Sequence, residues 1–383
     1  MSFYYRLSAA LIAATIAIVQ PEYAVAQLSA QQLEKIHRNE GNPSGAIDFN
    51  EAIRLNPNDA EAYYNRAKAR YEQKDIEGAI ADYNEAIRLN PSYAEAYKNR
   101  GNARSDQGDI QGAIADYNEA IRLNPSYADP YNNRGVVRSD QGDIQGALAD
   151  YNEAIRLNPS DADAYYSRGL VRSDQGDIEG EIADYNEAIR LNPNYAEAYN
   201  DRGAVRSDQG DIQAALADYN EAIRLNPNYA PAYNNRGLVR SDQGDKQGAM
   251  TDYNEAIRLN PSEAVAYNNR GGVRSDQGDI QGAIADYNEA IRLNPKYTYP
   301  YINRGFVRLQ QGDIDGAIAD FNEAIRLNPS EANAYYYRAL VRKEQGDIQG
   351  AINEFQKASE LYQQQGNTDS YRDAQNAIME LQK

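Results

Sequence analysis

The sequence predicts an all-α solenoid, a stack of helix-turn-helix repeats, because one pattern recurs throughout the chain. The string DYNEAIRLNP is present without change in seven repeats. The prolines that mark the period stand 34 residues apart, at Pro57, Pro91, Pro125, Pro159, Pro193, Pro227, Pro261, Pro295 and Pro329. A repeat this short cannot bury its own apolar face, so successive repeats must stack and share a continuous core.

Each repeat is predicted to form two amphipathic helices joined by a short turn. In residues 94–127, Tyr97 and Gly101 lie one turn apart on the first helix, and Ala113 and Tyr117 lie one turn apart on the second. Residues spaced by three or four positions share a helical face. Each helix therefore presents one stripe of small and aromatic side chains to its neighbours.

The ends of these helices are marked by residues with known terminal preferences. Gly108 supplies the left-handed residue that ends the first helix, and Asp109 is placed to cap the second. Pro125 ends the second helix, because the residue before a proline avoids the α region. Ser126 followed by Asp129 predicts a capping box at the start of the next repeat.

Arginine and acidic residues recur together in each repeat. In residues 94–127 they are Arg100 and Arg104 with Asp106, Asp109 and Asp116. The arginines alone could form a cationic stripe for phosphate. Carboxylates at three places in the same repeat instead favour an internal Arg–carboxylate lattice.

These repeats resemble the tetratricopeptide repeat (TPR) family. The residues that carry the resemblance in 94–127 are Tyr97, Gly101, Ala113, Tyr117, Ala120 and Pro125. The resemblance covers about four-fifths of the chain and implies a right-handed superhelix of about ten repeats. It also implies a scaffold for a protein or peptide partner. The segment from Leu361 onward is similar to the closing helix of TPR proteins from photosynthetic bacteria, and two repeats depart from the pattern at Glu181 and Lys246.

Four segments are predicted. Residues 1–26 read as a signal peptide, residues 27–59 as a degenerate first repeat that caps the N-terminal end, residues 60–365 as nine repeats, and residues 366–383 as a C-terminal capping helix. In the first segment the apolar run from Leu7 to Val19 is followed by Ala24-Val25-Ala26, a small-x-small cleavage pattern. An uncleaved membrane anchor is the alternative, but a span needs about 20 residues. We expect export to a periplasm, a thylakoid lumen or the extracellular space.

Composition excludes several kinds of function. With 57 Asp and Glu against 39 Lys and Arg, the net charge is −18, which argues against nucleic acid and anionic membrane as partners and favours a ligand with a basic flank. The chain has no Cys and one His, His37, so it lacks thiolate nucleophiles and multi-histidine metal sites. We therefore predict no enzymatic activity, no cofactor and no metal.

The first helix of each repeat carries the candidate binding residues. Its second, fifth and ninth residues vary between repeats, whereas exposed residues of the second helix, such as Asn118 and Arg122, hardly vary. The resemblance implies that the varying positions line a concave groove. Repeated asparagines resemble the ladder with which some TPR proteins bind a peptide backbone, and they are Asn99, Asn133, Asn235, Asn269 and Asn303.

The predicted groove becomes apolar toward its C-terminal end. The second residue of the repeat is acidic from Glu61 to Glu197 and then becomes neutral, while the ninth changes from Lys68 and Asn102 to mostly apolar residues. The apolar candidates for ligand contact are Tyr299, Ile302, Phe306, Leu309, Tyr336 and Leu340. Two alternatives are that a second copy of the chain covers this patch, giving a homo-oligomer, or that the C-terminal helix covers it.

Overall fold

The computed structural model describes residues 45–382, with side chains from residue 49 onward, and these residues form twenty α-helices and no strand. The all-α solenoid prediction is confirmed. The predicted signal peptide and the start of the degenerate first repeat lie outside the described residues. No helix among those described is long and apolar enough to cross a membrane.

The chain divides into two compact halves, an N-terminal half that ends at Leu191 and a C-terminal half that begins at Asn192. The helices of the N-terminal half are α1 (Gly45–Leu55), α2 (Ala60–Glu72), α3 (Ile76–Leu89), α4 (Ala94–Gln107), α5 (Ile110–Leu123), α6 (Ala128–Asp140), α7 (Ile144–Leu157), α8 (Ala162–Asp174) and α9 (Ile178–Leu191). Those of the C-terminal half are α10 (Ala196–Asp208), α11 (Ile212–Leu225), α12 (Ala230–Asp242), α13 (Lys246–Leu259), α14 (Ala264–Asp276), α15 (Ile280–Leu293), α16 (Thr298–Gln310), α17 (Ile314–Leu327), α18 (Ala332–Glu344), α19 (Ile348–Gln364) and α20 (Thr368–Leu381).

Within each half, the two helices of a repeat pack together and the second helix packs on the first helix of the next repeat. Consecutive first helices also contact one another, as α4 contacts α6 and α12 contacts α14. No comparable row of contacts joins consecutive second helices in either described half. The first helices therefore form the inner side of each half, and their exposed residues line it.

The core of a repeat is a large ring placed against a glycine. Tyr117 is almost fully buried, and a Cβ atom added at Gly101 would lie 2.6 Å from its Cε1 atom. Small residues such as Ala113 and Ala120 surround the ring and are completely buried. The absence of a side chain at Gly101 is thus what allows the two helices of the repeat to approach around the tyrosine.

The turns between the two helices agree with the sequence prediction. Gly108 has φ 86°, in the left-handed region, and the Asp109 Oδ1 atom accepts a hydrogen bond of 3.0 Å from the Gly112 N–H. Equivalent glycines at Gly142, Gly176 and Gly210 also have positive φ. The predicted helix stop and cap are confirmed.

The predicted capping box is wrong. Ser126 donates its hydroxyl to the Asn124 Oδ1 atom at 2.8 Å, and the residue that precedes α6 is Tyr127, whose side chain makes no capping bond. Helix α6 begins at Ala128, one residue later than the box requires, so Ser126 lies outside the cap and its hydroxyl bonds to the asparagine before the proline. In the next repeat Asp161 takes the place of Tyr127 and accepts from the N–H of Asp163 at 3.0 Å.

The two departures from the repeat pattern leave their helices intact. Glu181 is buried within α9, which keeps the same length as its counterparts in other repeats. Lys246, the first residue of α13, forms an ion pair of 2.7 Å with Asp276 and donates to the Ser241 hydroxyl at 3.2 Å. Lys246 therefore exchanges apolar packing for a link between two repeats.

Buried tyrosines should make the fold sensitive to alkaline pH. Burial, with a hydrogen bond to Asp106, raises the pKa of Tyr71 to about 12, and burial raises the pKa of Tyr229 and Tyr297 to about 12. Since tyrosine in an unfolded chain titrates near pH ~10, the folded state holds these protons more tightly. Their stabilising contribution is complete below that pH and is lost as pH rises toward 12.

We therefore expect the temperature of unfolding to fall steeply above pH ~10. Thermal unfolding followed by circular dichroism between pH 9 and 12 would measure the fall. A constant unfolding temperature across that range would contradict this account of the tyrosines.

Candidate functional site

The arginines of the first helices are held by carboxylates of the second helices and the turns. Arg100 forms two bonds with Asp116, from Nε to Oδ2 at 2.8 Å and from Nη2 to Oδ1 at 2.5 Å, and Arg104 Nη1 donates to the same carboxylate at 2.9 Å. The Arg104 Nε atom lies 3.7 Å from Asp109. The predicted lattice is confirmed for Asp109 and Asp116, but Asp106 accepts from the Tyr71 hydroxyl instead. Because each of these arginines is already paired with a carboxylate, the geometry disfavours a phosphate site.

The invariance of the second helices has a structural cause. Arg100 donates Nη1 to the Asn84 Oδ1 atom of the preceding repeat at 2.6 Å, and Arg134 makes the same bond to Asn118. Exposed Glu119 pairs with Arg122 one turn later at 2.6 Å. Contacts within the fold are therefore enough to hold these residues constant. The difference between these constant residues and the variable residues of the first helices is therefore weaker support for a ligand groove than it was from the sequence alone.

The predicted asparagine ladder is a row of amides bonded from repeat to repeat. In the C-terminal half, the Nδ2 atoms of Asn235, Asn269 and Asn303 donate to the Oδ1 atoms of residues 35 earlier, at 3.1, 3.1 and 2.9 Å. Their partners are Asn200, Asn234 and Asn268. An amide nitrogen has two N–H groups, so these bonds fix each side chain while a second N–H remains on the half-buried surface.

The N-terminal half has a less regular ladder. Asn99 donates to the Tyr64 hydroxyl at 2.8 Å, and Asn133 donates to Asn102 at 2.9 Å. At the next step Ser167 replaces the asparagine, and the buried Oδ1 atom of Asn132 has no hydrogen-bond partner. A buried acceptor without a donor destabilises the fold. The interruption of the ladder is thus also a local structural defect.

Ser167→Asn should raise the free energy of unfolding by about 1 kcal/mol, because the new Nδ2 group would donate to Asn132 as in the regular steps. Urea denaturation followed by circular dichroism would measure the change. Ser167→Ala is the control, since it supplies no donor and should not stabilise the chain. Equal effects of the two substitutions would rule out the hydrogen-bond explanation.

The structure separates the predicted apolar residues of α16. Tyr299 is 52% exposed, whereas Ile302 is 3% exposed and packs with Tyr301 and Ala324. Leu309 packs against a cluster that includes Phe321 and Val341. Ile302 and Leu309 therefore act mainly in the core, and Tyr299 is the member of this set that a ligand can reach most directly.

The remaining three predicted residues pack toward the C-terminal end. The Phe306 ring lies 5.0 Å from the ring of Tyr337 and is partly buried. Tyr336 contacts the Phe355 ring at 5.2 Å, and Leu340 packs against the cluster that contains Ile378 of α20. The C-terminal helix thus covers Tyr336 and Leu340 in part.

Three further exposed apolar side chains of the first helices were not among the predicted site residues. They are Val136 and Leu170 in the N-terminal half and Leu238, which is 46% exposed, in the C-terminal half. Each is the ninth residue of its repeat. The sequence indicated these residues through the change from Lys68 and Asn102 to apolar residues at the ninth position. Only the structure shows which of these side chains are exposed.

The equivalent residue of the next repeat is Gly272, and it lies beside an open cavity. The cavity has a volume of about 260 Å³ and is bordered by Leu238, Asp242, Asn269, Gly272 and Asn303. A Cβ atom added at Gly272 would have no neighbour within 4 Å. The row of exposed apolar residues therefore has a vacancy within the C-terminal half.

No group of three or more His, Asp or Glu side chains in residues 45–382 is arranged to hold a metal.

Comparison with known families decides the identity of the repeats. The TPR repeat profile matches residues 67–108, 101–142, 137–176, 171–210, 205–244, 273–312 and 305–346, and two further tetratricopeptide repeat profiles match residues 230–263 and 49–81. The chain belongs to the TPR family. TPR proteins are generally non-enzymatic scaffolds that bind protein partners, and this fold is typical of protein–protein interaction.

Solved TPR structures resemble this chain at low sequence identity. One chain of the APC/C hetero-tetramer Cut9–Hcn1 matches with 14% identity and a TM-score of 0.58 over 94% of this chain and 87% of that chain. A TPR protein from Parabacteroides merdae matches with 21% identity and a TM-score of 0.52 over 65% of this chain and 98% of that chain. No curated protein matches at a significant level. These similarities support the fold. A ligand has to be inferred from the chemistry of the groove.

Proposed function

We propose that this TPR protein is an exported scaffold that binds an extended peptide or protein segment along the inner side of its first helices. The observation that carries the proposal is the pairing of two rows on that side. In each half, one row consists of exposed apolar side chains, such as Leu170 in the N-terminal half and Leu238 in the C-terminal half, and the other consists of asparagine amides with an N–H still available. An extended segment offers both apolar side chains and backbone carbonyls at regular intervals.

The two rows contribute differently to binding. Each exposed apolar side chain that a ligand covers contributes roughly 1.5–3 kcal/mol, whereas each amide bond adds about 1 kcal/mol net. Acidic residues of the N-terminal half, including the exposed Glu95 and Asp129, favour a basic flank on the ligand. We expect apolar anchors to set the affinity, and the acidic residues to set the salt dependence of association.

Site-specific photocrosslinking tests the binding face. A photoreactive amino acid is placed at Leu170 or Leu238 on the first helices, and at the exposed Ala115 or Ala217 on the second helices as matched controls. A protein or peptide partner in the exported fraction should crosslink at the first pair only. Crosslinks confined to the second pair would overturn the groove proposal.

Self-association is the alternative, favoured by the exposure of Tyr299 and Leu238 in one half. In the same photocrosslinking experiment it gives a product of twice the chain mass. Light scattering with and without residues 366–383 supplies a second readout, because removal of α20 uncovers Tyr336 and Leu340. A monomer in both forms contradicts this alternative.

Export is proposed from residues 1–26, whose structure is not described. The cleavage pattern Ala24-Val25-Ala26 gives a mature chain that begins at Gln27. N-terminal sequencing of the native protein checks this. Retention of Met1 would overturn the proposed signal peptide without affecting the binding face.

A further inference from the structure

We infer that the cavity at Gly272 receives one large apolar side chain of the bound segment, and that a basic side chain close to it in the segment pairs with Asp242. This inference rests on the proposed function. It states which ligand sequence the groove prefers, namely an apolar residue next to a lysine or arginine. It also assigns this preference to one repeat.

The cavity exists because one repeat lacks a side chain that its neighbours have. Leu238 and Phe306 are the ninth residues of the repeats on either side of Gly272. Open space extends for at least 4 Å from where a Cβ would stand at Gly272. In these two neighbouring repeats a leucine and a phenylalanine side chain stand at the place that is empty at Gly272. A ligand side chain of similar size and polarity can therefore take the vacant one.

The cavity has room for one side chain, and part of its lining is apolar, while Ser241, Lys246 and Asn268 also border it. Leu238 forms one wall, and the buried Tyr253 and Val273 lie at the base. The volume of about 260 Å³ is below the roughly 300–1,000 Å³ of typical small-molecule sites. A leucine, methionine or phenylalanine side chain of an extended segment would cover the exposed part of Leu238 and remove apolar surface from water on both molecules.

Three charged side chains border the cavity, Asp242, Asp276 and Lys246, and Asp242 is the one that makes no ion pair among the described residues. Asp242 and Asp276 lie one helical turn after Leu238 and Gly272, on the same face of their helices. Asp276 is neutralised by Lys246 at 2.7 Å. Asp242 is exposed, and no cation forms an ion pair with it in the described part of the chain. A lysine or arginine beside the inserted apolar residue would complete this pair.

The amides on the opposite side of the cavity favour an extended backbone. Asn269 and Asn303 border the cavity, and each uses one N–H for the preceding repeat. Their second N–H groups are the donors that remain for ligand carbonyls. Along the direction of the first helices, the amide donors of Asn269 and Asn303 are thus followed by the vacancy at Gly272 and then by the carboxylate of Asp242.

Peptide selection with matched variants tests the inference. A display library of random twelve-residue peptides is selected on the purified full chain, and one enriched peptide is labelled for fluorescence anisotropy. We expect enriched sequences to combine Leu, Met or Phe with Lys or Arg within three residues. Gly272→Leu should weaken binding at least about tenfold by filling the cavity.

Two aspartate variants separate the charge from the cavity. Asp242→Asn should weaken binding several-fold at low salt and less at high salt. Asp208→Asn removes the equivalent exposed carboxylate of an earlier repeat and should leave the affinity unchanged. A peptide in which glutamine replaces the basic residue should bind the wild-type and Asp242→Asn chains equally well.

The outcomes distinguish this inference from the proposed function. Peptides that crosslink at Leu238 but tolerate Gly272→Leu would overturn the cavity and leave the groove in place. Enrichment of acidic peptides, or equal effects of Asp208→Asn and Asp242→Asn, would overturn the role of Asp242. Failure to enrich any peptide, or crosslinking only at Ala217, would overturn both proposals.

Discussion

Asp116→Ala should lower the free energy of unfolding by about 3–5 kcal/mol, the cost typical of removing one partner from a buried ion pair. The Asp116 side chain is only 4% exposed and accepts hydrogen bonds from both Arg100 and Arg104. Alanine would leave Arg100 partly buried without its counterion, and Arg104 with only the more distant Asp109. Urea denaturation followed by circular dichroism measures the loss.

A second ion pair in the same repeat supplies the control. Glu119 and Arg122 lie 2.6 Å apart, one turn from each other on α5, but their side chains are 32% and 66% exposed. Because exposed pairs contribute little, Glu119→Ala should change the stability only slightly. Similar losses for the two substitutions would show that burial does not decide the strength of these pairs.

Adjacent glycines of α14 should respond to alanine with opposite sign. A Cβ at Gly271 would lie 2.7 Å from the Tyr287 Cε1 atom, whereas a Cβ at Gly272 would meet nothing within 4 Å. Gly271→Ala should destabilise the chain by about 1–3 kcal/mol through overpacking. Gly272→Ala should stabilise it by up to about 1 kcal/mol, since alanine is the better residue in the middle of a helix.

The same urea denaturation experiment compares the two variants. Both substitutions add one methyl group to α14, so they change helix propensity equally. The difference between their free energies of unfolding therefore reports the surroundings of the methyl group. Losses of equal size would mean that Gly272 is packed, which would also remove the basis for a ligand cavity there.

The sequence predicted the helices, their turns and the Arg–carboxylate lattice because each repeats in many copies. Gly108 and Asp109 are single-residue signals whose local geometry decides the outcome. The capping box predicted at Ser126 is wrong because α6 begins one residue later than the box requires, with Tyr127 at the N-cap. Sequence spacing does not tell which of the two residues takes the N-cap position.

The candidate site was only partly predictable. Helical spacing places Tyr299, Ile302 and Phe306 on one side of α16, but that side is wide enough to include both exposed and buried positions. Ile302 falls at the boundary with the next repeat, where Asn200 and Asn268 are also buried in their own repeats. The sequence shows that Gly272 lacks a side chain, but the space around it depends on residues of four helices, α12, α13, α14 and α16.

The bond from each first-helix arginine to the preceding repeat has a consequence for how the gene can change. Arg100 to Asn84 is one of eight equivalent bonds that join neighbouring repeats within the described halves, and donor and acceptor types are the same at each. Unequal crossing-over between such similar coding segments removes or adds whole repeats. Any repeat placed next to another therefore has the same asparagine acceptor within reach of its arginine. Copy number can therefore vary between lineages without new junction chemistry, and a shorter or longer array would move the vacancy at Gly272 relative to the ends of the groove.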